Sequence, residues 1–168
     1  MNKHNMTSPL PLATVQTTPA SSGLTKPPFS LAWAAGFVDG EGCITIVKQR
    51  YQDPRRKFTY RLCLSISQNN LEVLEHLRDG LGITDCLYKT KRLLQHNKQM
   101  YALNLTGKGA LAVIIALYPY LVRKRPEAQT AMDYWRHGQC GKHPGPRGWS
   151  ASVNAYRESC FKKLKALK

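Results

Sequence analysis

Leu31-Ala32-Trp33-Ala34-Ala35-Gly36-Phe37-Val38-Asp39-Gly40-Glu41-Gly42 sets small residues at helical spacing and then carboxylates where that helix must stop. Ala32, Gly36 and Gly40 recur every four residues, so they line one helix face along which a partner backbone can approach closely. Trp33 and Phe37 form a second stripe one position on, wide enough to anchor the helix in its own domain. Ser30 is the expected N-cap, and Gly40 and Gly42 are the stop signals. Asp39 and Glu41 then fall at the negative end of the helix dipole, where a carboxylate is unfavourable unless a cation offsets it. Carboxylate and free backbone carbonyl oxygens together are the ligand set that Mg²⁺ takes. The plainer alternative is a helix C-cap carrying two solvated acids.

Working outward, composition narrows the partner. The 168 residues hold 25 Lys+Arg against 10 Asp+Glu, a net charge of +15. Such an excess goes well beyond solubility and favours a polyanion, nucleic acid first. A membrane surface would want Lys and Arg around a strongly apolar helix face, which only the end of the chain offers. The longest apolar run, Ala110 to Val122, is too short, and too broken by Pro119, to span a bilayer. Cys43, Cys63, Cys86, Cys140 and Cys160 are odd in number, scattered and without a CxxC pair, so reduced thiols are expected rather than a disulfide framework. Residues 1–28, rich in Ser, Thr and Pro, read as a disordered leader. They lack the charged and apolar regions of a signal peptide and the arginines of a transit peptide.

The rest reads as helix, two strands, helix, two strands, helix, then a helical tail. Cys43 to Tyr51 and Phe58 to Gln68 have strand periodicity and form an antiparallel pair around a turn at 52–57. Asn69 or Asn70 caps a helix carrying Leu71, Val73, Leu74 and Leu77, with Gly80 as its stop. Asp85 to Arg92 and Gln99 to Leu105 make a second strand pair, and Thr106 caps a helix from Gly107 to Tyr118. The fold class is therefore α+β, αββαββα, with a four-stranded antiparallel sheet and its helices on one face. The other face stays open and basic, as duplex DNA requires. Gln49, Tyr51, Arg61 and Ser65 share a strand parity and are candidates to enter the major groove, which is wide enough for a β-ribbon. Lys89 and Lys91 have the same character on the second pair. Lys48, Arg50, Arg55, Arg56 and Lys57 fit a solvated basic region that touches phosphates.

Residues 34–42, AAGFVDGEG, closely resemble the signature of the LAGLIDADG homing endonucleases, with Glu41 at the place of its final acid. Gln68, closing the run Leu62 to Gln68, is similar to the active-site glutamine of single-motif members. Lys124, after Pro119-Tyr120-Leu121, is similar to their active-site lysine. The resemblance implies a saddle-shaped sheet in a domain of residues 29–136, and Glu41, Gln68 and Lys124 as catalytic residues. It also implies a metal at Glu41 and Gly40: Mg²⁺, with Mn²⁺ able to substitute and Ca²⁺ supporting binding without cleavage. With no second motif in the chain, it implies a homodimer through Ala32, Gly36 and Gly40, reading a palindromic or pseudo-palindromic duplex. Single-motif members often carry an arginine soon after the glutamine. Asn69-Asn70-Leu71-Glu72-Val73 has none, so either that charge comes from elsewhere, such as Arg123 or Arg125, or cleavage is slower.

The implied function is a divalent-metal-dependent, site-specific endonuclease that makes a double-strand break and promotes intron or mobile-element homing. The alternatives are an intron RNA maturase, which would make RNA the partner, and a DNA-binding relative without catalysis. Residues 137–168 resemble the family less. His137, Cys140 and His143 form an H-x2-C-x2-H spacing that Zn²⁺ could occupy with Cys160, but a Gly/Pro loop with exposed histidines fits better. Ser150 to Leu167 forms a helix with Val153, Tyr156, Cys160, Leu164 and Leu167 on one face. That face docks on the core while Lys162, Lys163, Lys165 and Lys168 meet phosphates.

Overall fold

The structure, a computed structural model, describes residues 28–50, 58–84, 86–91, 98–142 and 148–168. Helix α1 spans Leu31–Glu41, and Ser30 Oγ accepts from the Trp33 N–H at 3.1 Å, as an N-cap should. Gly42 ends α1 in an extended conformation, so the chain passes from helix to strand with no intervening loop. Strands β1 (Gly42–Arg50) and β2 (Phe58–Gln68) pair antiparallel from Gly42↔Ile66 to Arg50↔Phe58. Helix α2 (Leu71–Gly80) is capped by Asn70 rather than Asn69: its Oδ1 accepts from the Val73 N–H.

The second strand pair is shorter than expected. Strand β3 is Leu87–Lys89 and β4 is Tyr101–Thr106, with further backbone bonds from Thr90 N to Met100 O and from Asn104 N to Cys86 O. Helix α3 (Gly107–Leu117) follows at once. Thr106 occupies its N-cap position but its hydroxyl makes no capping bond, and Gly107 instead turns the chain at φ +59°. A 3₁₀ turn at Tyr118–Tyr120 leads to α4 (Arg125–His137), where Pro126 sits in the first turn, the place a helix accepts it. Helix α5 (Ala151–Ala166) closes the chain, capped by Ser150.

The sheet order is β1-β2-β4-β3. Ile44, Ile46, Leu62, Leu64, Ile66, Leu103 and Leu105 all project from one face into a single core built with residues from all five helices. Each fully buried aliphatic side chain stabilises the fold by about 1.5–3 kcal/mol. A one-residue slip would turn all seven to solvent, so this face fixes the register. The face bearing Thr45, Val47, Gln49, Arg61 and Ser65 carries no helix, and Val47 is left 44 % exposed on it.

Within α1, the buried residues are Ala34, Ala35 and Val38. Trp33 and Phe37 are only half-buried. Their rings stack at 5.6 Å, and Trp33 meets His76 of α2 edge-on at 5.0 Å, so the aromatic stripe ties α1 to α2 at the rim of the core. Ala32, Gly36 and Gly40 are exposed. No helix among the described residues is long and apolar enough to cross a membrane.

Candidate active site and nucleic-acid interface

The two acids at the end of α1 are held in opposite ways. Asp39 faces the segment before α4, where its Oδ2 accepts from the N–H groups of Val122 (2.7 Å) and Arg123 (3.2 Å) and its Oδ1 from that of Lys124 (2.8 Å). Three successive backbone donors wrapped around one carboxylate form an anion nest. Burial would raise the Asp39 carboxyl, but these hydrogen bonds and the nearby Lys124 charge outweigh it and hold the group below its ordinary 3.8. Asp39 is therefore committed to the fold, a distinction from Glu41 that the sequence reading of two acids at one helix end did not draw. Glu41, two residues on, is exposed and has no hydrogen-bond or ion-pair partner among the described residues.

The Asp39 carbonyl, one of those that a helix end leaves without an intrahelical partner, accepts from Arg123 Nε (3.0 Å) and Lys124 Nζ (2.6 Å). Lys124 is 4 % exposed. Burial, and after it the Arg123 charge, hold its ammonium below the usual lysine value, partly opposed by Asp39 and Glu127. Lys124 thus reaches the last turn of α1, and two of its three N–H donors remain for another acceptor. Gln68 ends β2, half-exposed, two residues beyond Ile66, which pairs with Gly42. Glu41, Gln68 and Lys124 come from three segments and lie at one end of the sheet.

A removal experiment follows for Asp39. Asp39→Ala is expected to cost about 2–3 kcal/mol, because charge-assisted hydrogen bonds from three successive backbone donors are lost. The carboxyl lies lower in the folded than in the unfolded state, so its contribution is complete above about pH 4 and disappears as pH falls through the folded value. Urea denaturation at pH 7 and pH 3 measures both. Equal stability of parent and variant at pH 7 would refute the nest.

Among the described residues no cluster of three or more His, Cys, Asp or Glu side chains is placed to hold a metal. Mg²⁺ takes about six oxygens and is usually bound through one or two carboxylates with water and substrate phosphate. The single free carboxylate of Glu41 at the helix end can supply one such ligand. At the other spacing with metal-ligand residue types, Cys140 Sγ points to Tyr134 O, His137 packs edge-on to Tyr156, Cys160 is buried in the core, and His143 lies outside the described residues.

On the open face, Val47 pairs with Arg61, Gln49 with Thr59 and Cys43 with Ser65, which places Gln49, Arg61 and Ser65 together as their parity predicted. Tyr51, Arg55, Arg56 and Lys57 lie outside the described residues. Lys89 follows the parity of Leu87, opposite buried Leu103, and so takes the helix side at the sheet edge; Lys91 lies beyond the strand. The outward residue of β3 is Tyr88, 48 % exposed, whose hydroxyl accepts from Asn104 Nδ2 on β4. The Asn104 Oδ1 atom is buried and has no partner among the described residues. Strand periodicity could not single out this pair, because three residues are too few to fix a parity.

Lys48 also differs from expectation. Its even position points it to the helix side, where it pairs with Glu158 of α5 at 2.7 Å and lies 4.3 Å from the Phe58 ring centroid. Tyr60 donates to the same Glu158 carboxylate at 2.5 Å. Helix α5 docks through Val153, Arg157, Cys160 and Leu164, while Tyr156 is half-buried and Leu167 exposed. Lys162, Lys163, Lys165 and Lys168 are exposed. The five cysteines are free thiols.

Comparison with known proteins gives these residues a context. A family model described as LAGLIDADG endonuclease matches residues 34–136. The "Probable intron-encoded endonuclease Cox1-I1b" of Schizosaccharomyces pombe (strain 972) is 33 % identical over 79 residues, 47 % of this chain. The match spans only 20 % of that protein's length. The homing endonuclease I-CvuI, in complex with the I-CreI target in 2 mM Mg with the DNA not cleaved, superposes with a TM-score of 0.65 at 26 % identity, covering 82 % of this chain and 81 % of that one. The same enzyme has been seen with its own target in 2 mM Ca, with a TM-score of 0.64 at 27 % identity, again over 82 % and 81 % of the two chains. The archaeal intron-encoded homing endonuclease I-Vdi141I, complexed with DNA, shares the fold at 18 % identity and a TM-score of 0.64, over 82 % and 83 % of the two chains.

Proposed function

This chain belongs to the LAGLIDADG endonuclease family, and from that premise we propose that it is a site-specific DNA endonuclease acting as a homodimer in which two copies of Glu41 share divalent metal ions. The observation that carries the reading is the contrast at the end of α1. Asp39 is tied down by three backbone donors while Glu41 is presented free, beside an exposed stripe of Ala32, Gly36 and Gly40. A twin helix on that stripe brings two such carboxylates together at the two-fold axis.

Residues 29–136 form the nuclease domain in this reading, and 137–168 brace it. Glu41 and the Gly40 carbonyl would hold Mg²⁺, which when bound would supply Lewis acidity toward a water and the attacked phosphate. Gln68 orients the attacking water in line with the leaving oxygen, and Lys124 turns its remaining donors to a non-bridging oxygen. Gln49, Arg61 and Ser65 reach base edges in the major groove, and the two-fold axis makes the target palindromic or nearly so. The intron-encoded relatives favour a part in intron homing.

The test is a pool of random-sequence duplexes incubated with the protein in Mg²⁺, Ca²⁺ or EDTA. Cut members, recovered by ligation to an adaptor, are expected with Mg²⁺ alone, and retained uncut members with Ca²⁺. Retention without cutting under every condition would reduce the chain to a binding module, and intron RNA bound in preference to every duplex would favour a maturase. Affinity for a recovered duplex is expected to fall on the order of 10³-fold between about 50 and 200 mM salt, as phosphate contacts release counterions. A flat titration would contradict the basic face.

A further inference from the structure

Cleavage of a phosphodiester adds negative charge to the attacked phosphate, and a cation aimed at it lowers the barrier. The two cations beside α1, Arg123 and Lys124, both donate to the Asp39 carbonyl, and Lys124 is almost fully buried. A third cation arrives from a distant part of the chain. Lys168, just past α5, donates from Nζ to Cys43 Sγ at 3.1 Å. Cys43 is the first open-face position of β1, two residues after Glu41 and opposite Ser65.

The position of Lys168 follows from how α5 is held. Val153, Arg157, Cys160 and Leu164 are buried beneath it, Arg157 Nε donates to Gly138 O at 2.7 Å, and Glu158 bridges Lys48 and Tyr60. These contacts fix α5 against β1 so that its far end meets the first residues of that strand. Lys168 itself is exposed and has no carboxylate partner among the described residues. A thiol is a weak acceptor, so the contact with Cys43 is easily exchanged for a charge-assisted bond to a phosphate oxygen.

We propose that Lys168 is a further catalytic residue of this nuclease: its ammonium leaves the Cys43 thiol for a non-bridging oxygen of the scissile phosphate and offsets the charge that Arg123 and Lys124, held on Asp39, offset only in part. The role rests on the endonuclease reading. With a duplex recovered from the random pool, Lys168→Ala is expected to slow single-turnover cleavage in Mg²⁺ about tenfold, with Lys168→Arg restoring most of the rate. The Kd for the same duplex in Ca²⁺ is expected to stay within about threefold, and the melting temperature to be unchanged, since Lys168 is an exposed residue beyond the helix. Parental rates in Lys168→Ala would overturn the proposal. So would a rate loss matched by an equal loss of Ca²⁺-dependent affinity, which would make Lys168 a binding contact only. Both outcomes leave the nuclease reading intact. A parental chain that cuts no member of the pool sinks that reading and this one with it.

Discussion

Glu41→Gln is expected to abolish cleavage, lowering the single-turnover rate in Mg²⁺ by at least about 10³-fold, a loss of roughly 4 kcal/mol of transition-state stabilisation. The substitution keeps the shape of the side chain and removes the charge that an ion needs. In the proposed dimer it is repeated in both subunits, so the shared site would lose two carboxylates at once. Folding should not notice: Glu41 is exposed and has no partner among the described residues, so the melting temperature should stay within about 1 °C. Binding should survive and can strengthen in EDTA, because two negative charges leave the vicinity of the DNA phosphates. Thermal melting, duplex binding in EDTA and cleavage in Mg²⁺ separate these effects. A variant that still cuts within tenfold of the parent would remove Glu41 from the site and with it the whole reading of α1.

Asp39 and Glu41 also show where sequence reasoning reaches its limit. In the sequence they are two acids one residue apart at a helix end, and dipole arguments treat them alike. What separates them is tertiary: Asp39 meets the N–H groups of residues 122–124, some eighty positions away. Nothing in the local pattern encodes that encounter. The placement of Lys168 on Cys43 is of the same kind, since it depends on how α5 crosses β1.

The features that were legible are those with a period. The small-residue stripe of α1, the alternation of β1 and β2, and the caps at Ser30 and Asn70 each follow from local geometry. Alternation gave Gln49, Arg61 and Ser65 their common face because two long strands with a buried side admit one register. It failed for Lys89, where the strand has only three residues and the parity is set by Leu87 facing Leu103. Lys48 was misread for a different reason. Its parity already pointed inward, but its charge suggested solvent, and only the Glu158 carboxylate brought by α5 makes the inward position tolerable.

The stripe on α1 yields the prediction that tests the dimer without disturbing the chain. A Cβ built at Gly36 or Gly40 meets nothing within 4 Å inside the subunit, and the single core is complete without that face. Gly36→Leu should therefore fold as a monomer, and the better helix propensity should add about 0.5–1 kcal/mol to α1. Between two copies the same change is severe. The stripe lets backbones come close only while its side chains are absent, and each substitution enters a two-fold interface twice. Losing the interface should weaken association by orders of magnitude and halve the footprint on DNA. Double-strand cleavage should be lost, since one subunit carries one Glu41. Sedimentation of parent and variant, free and on a recovered duplex, reads the association directly, and a melting curve confirms that the variant is folded. A Gly36→Leu chain that still sediments as the parent's dimer would place the contact elsewhere, and a parent that stays a monomer even on its DNA would leave Glu41 without the twin that the proposed metal site needs.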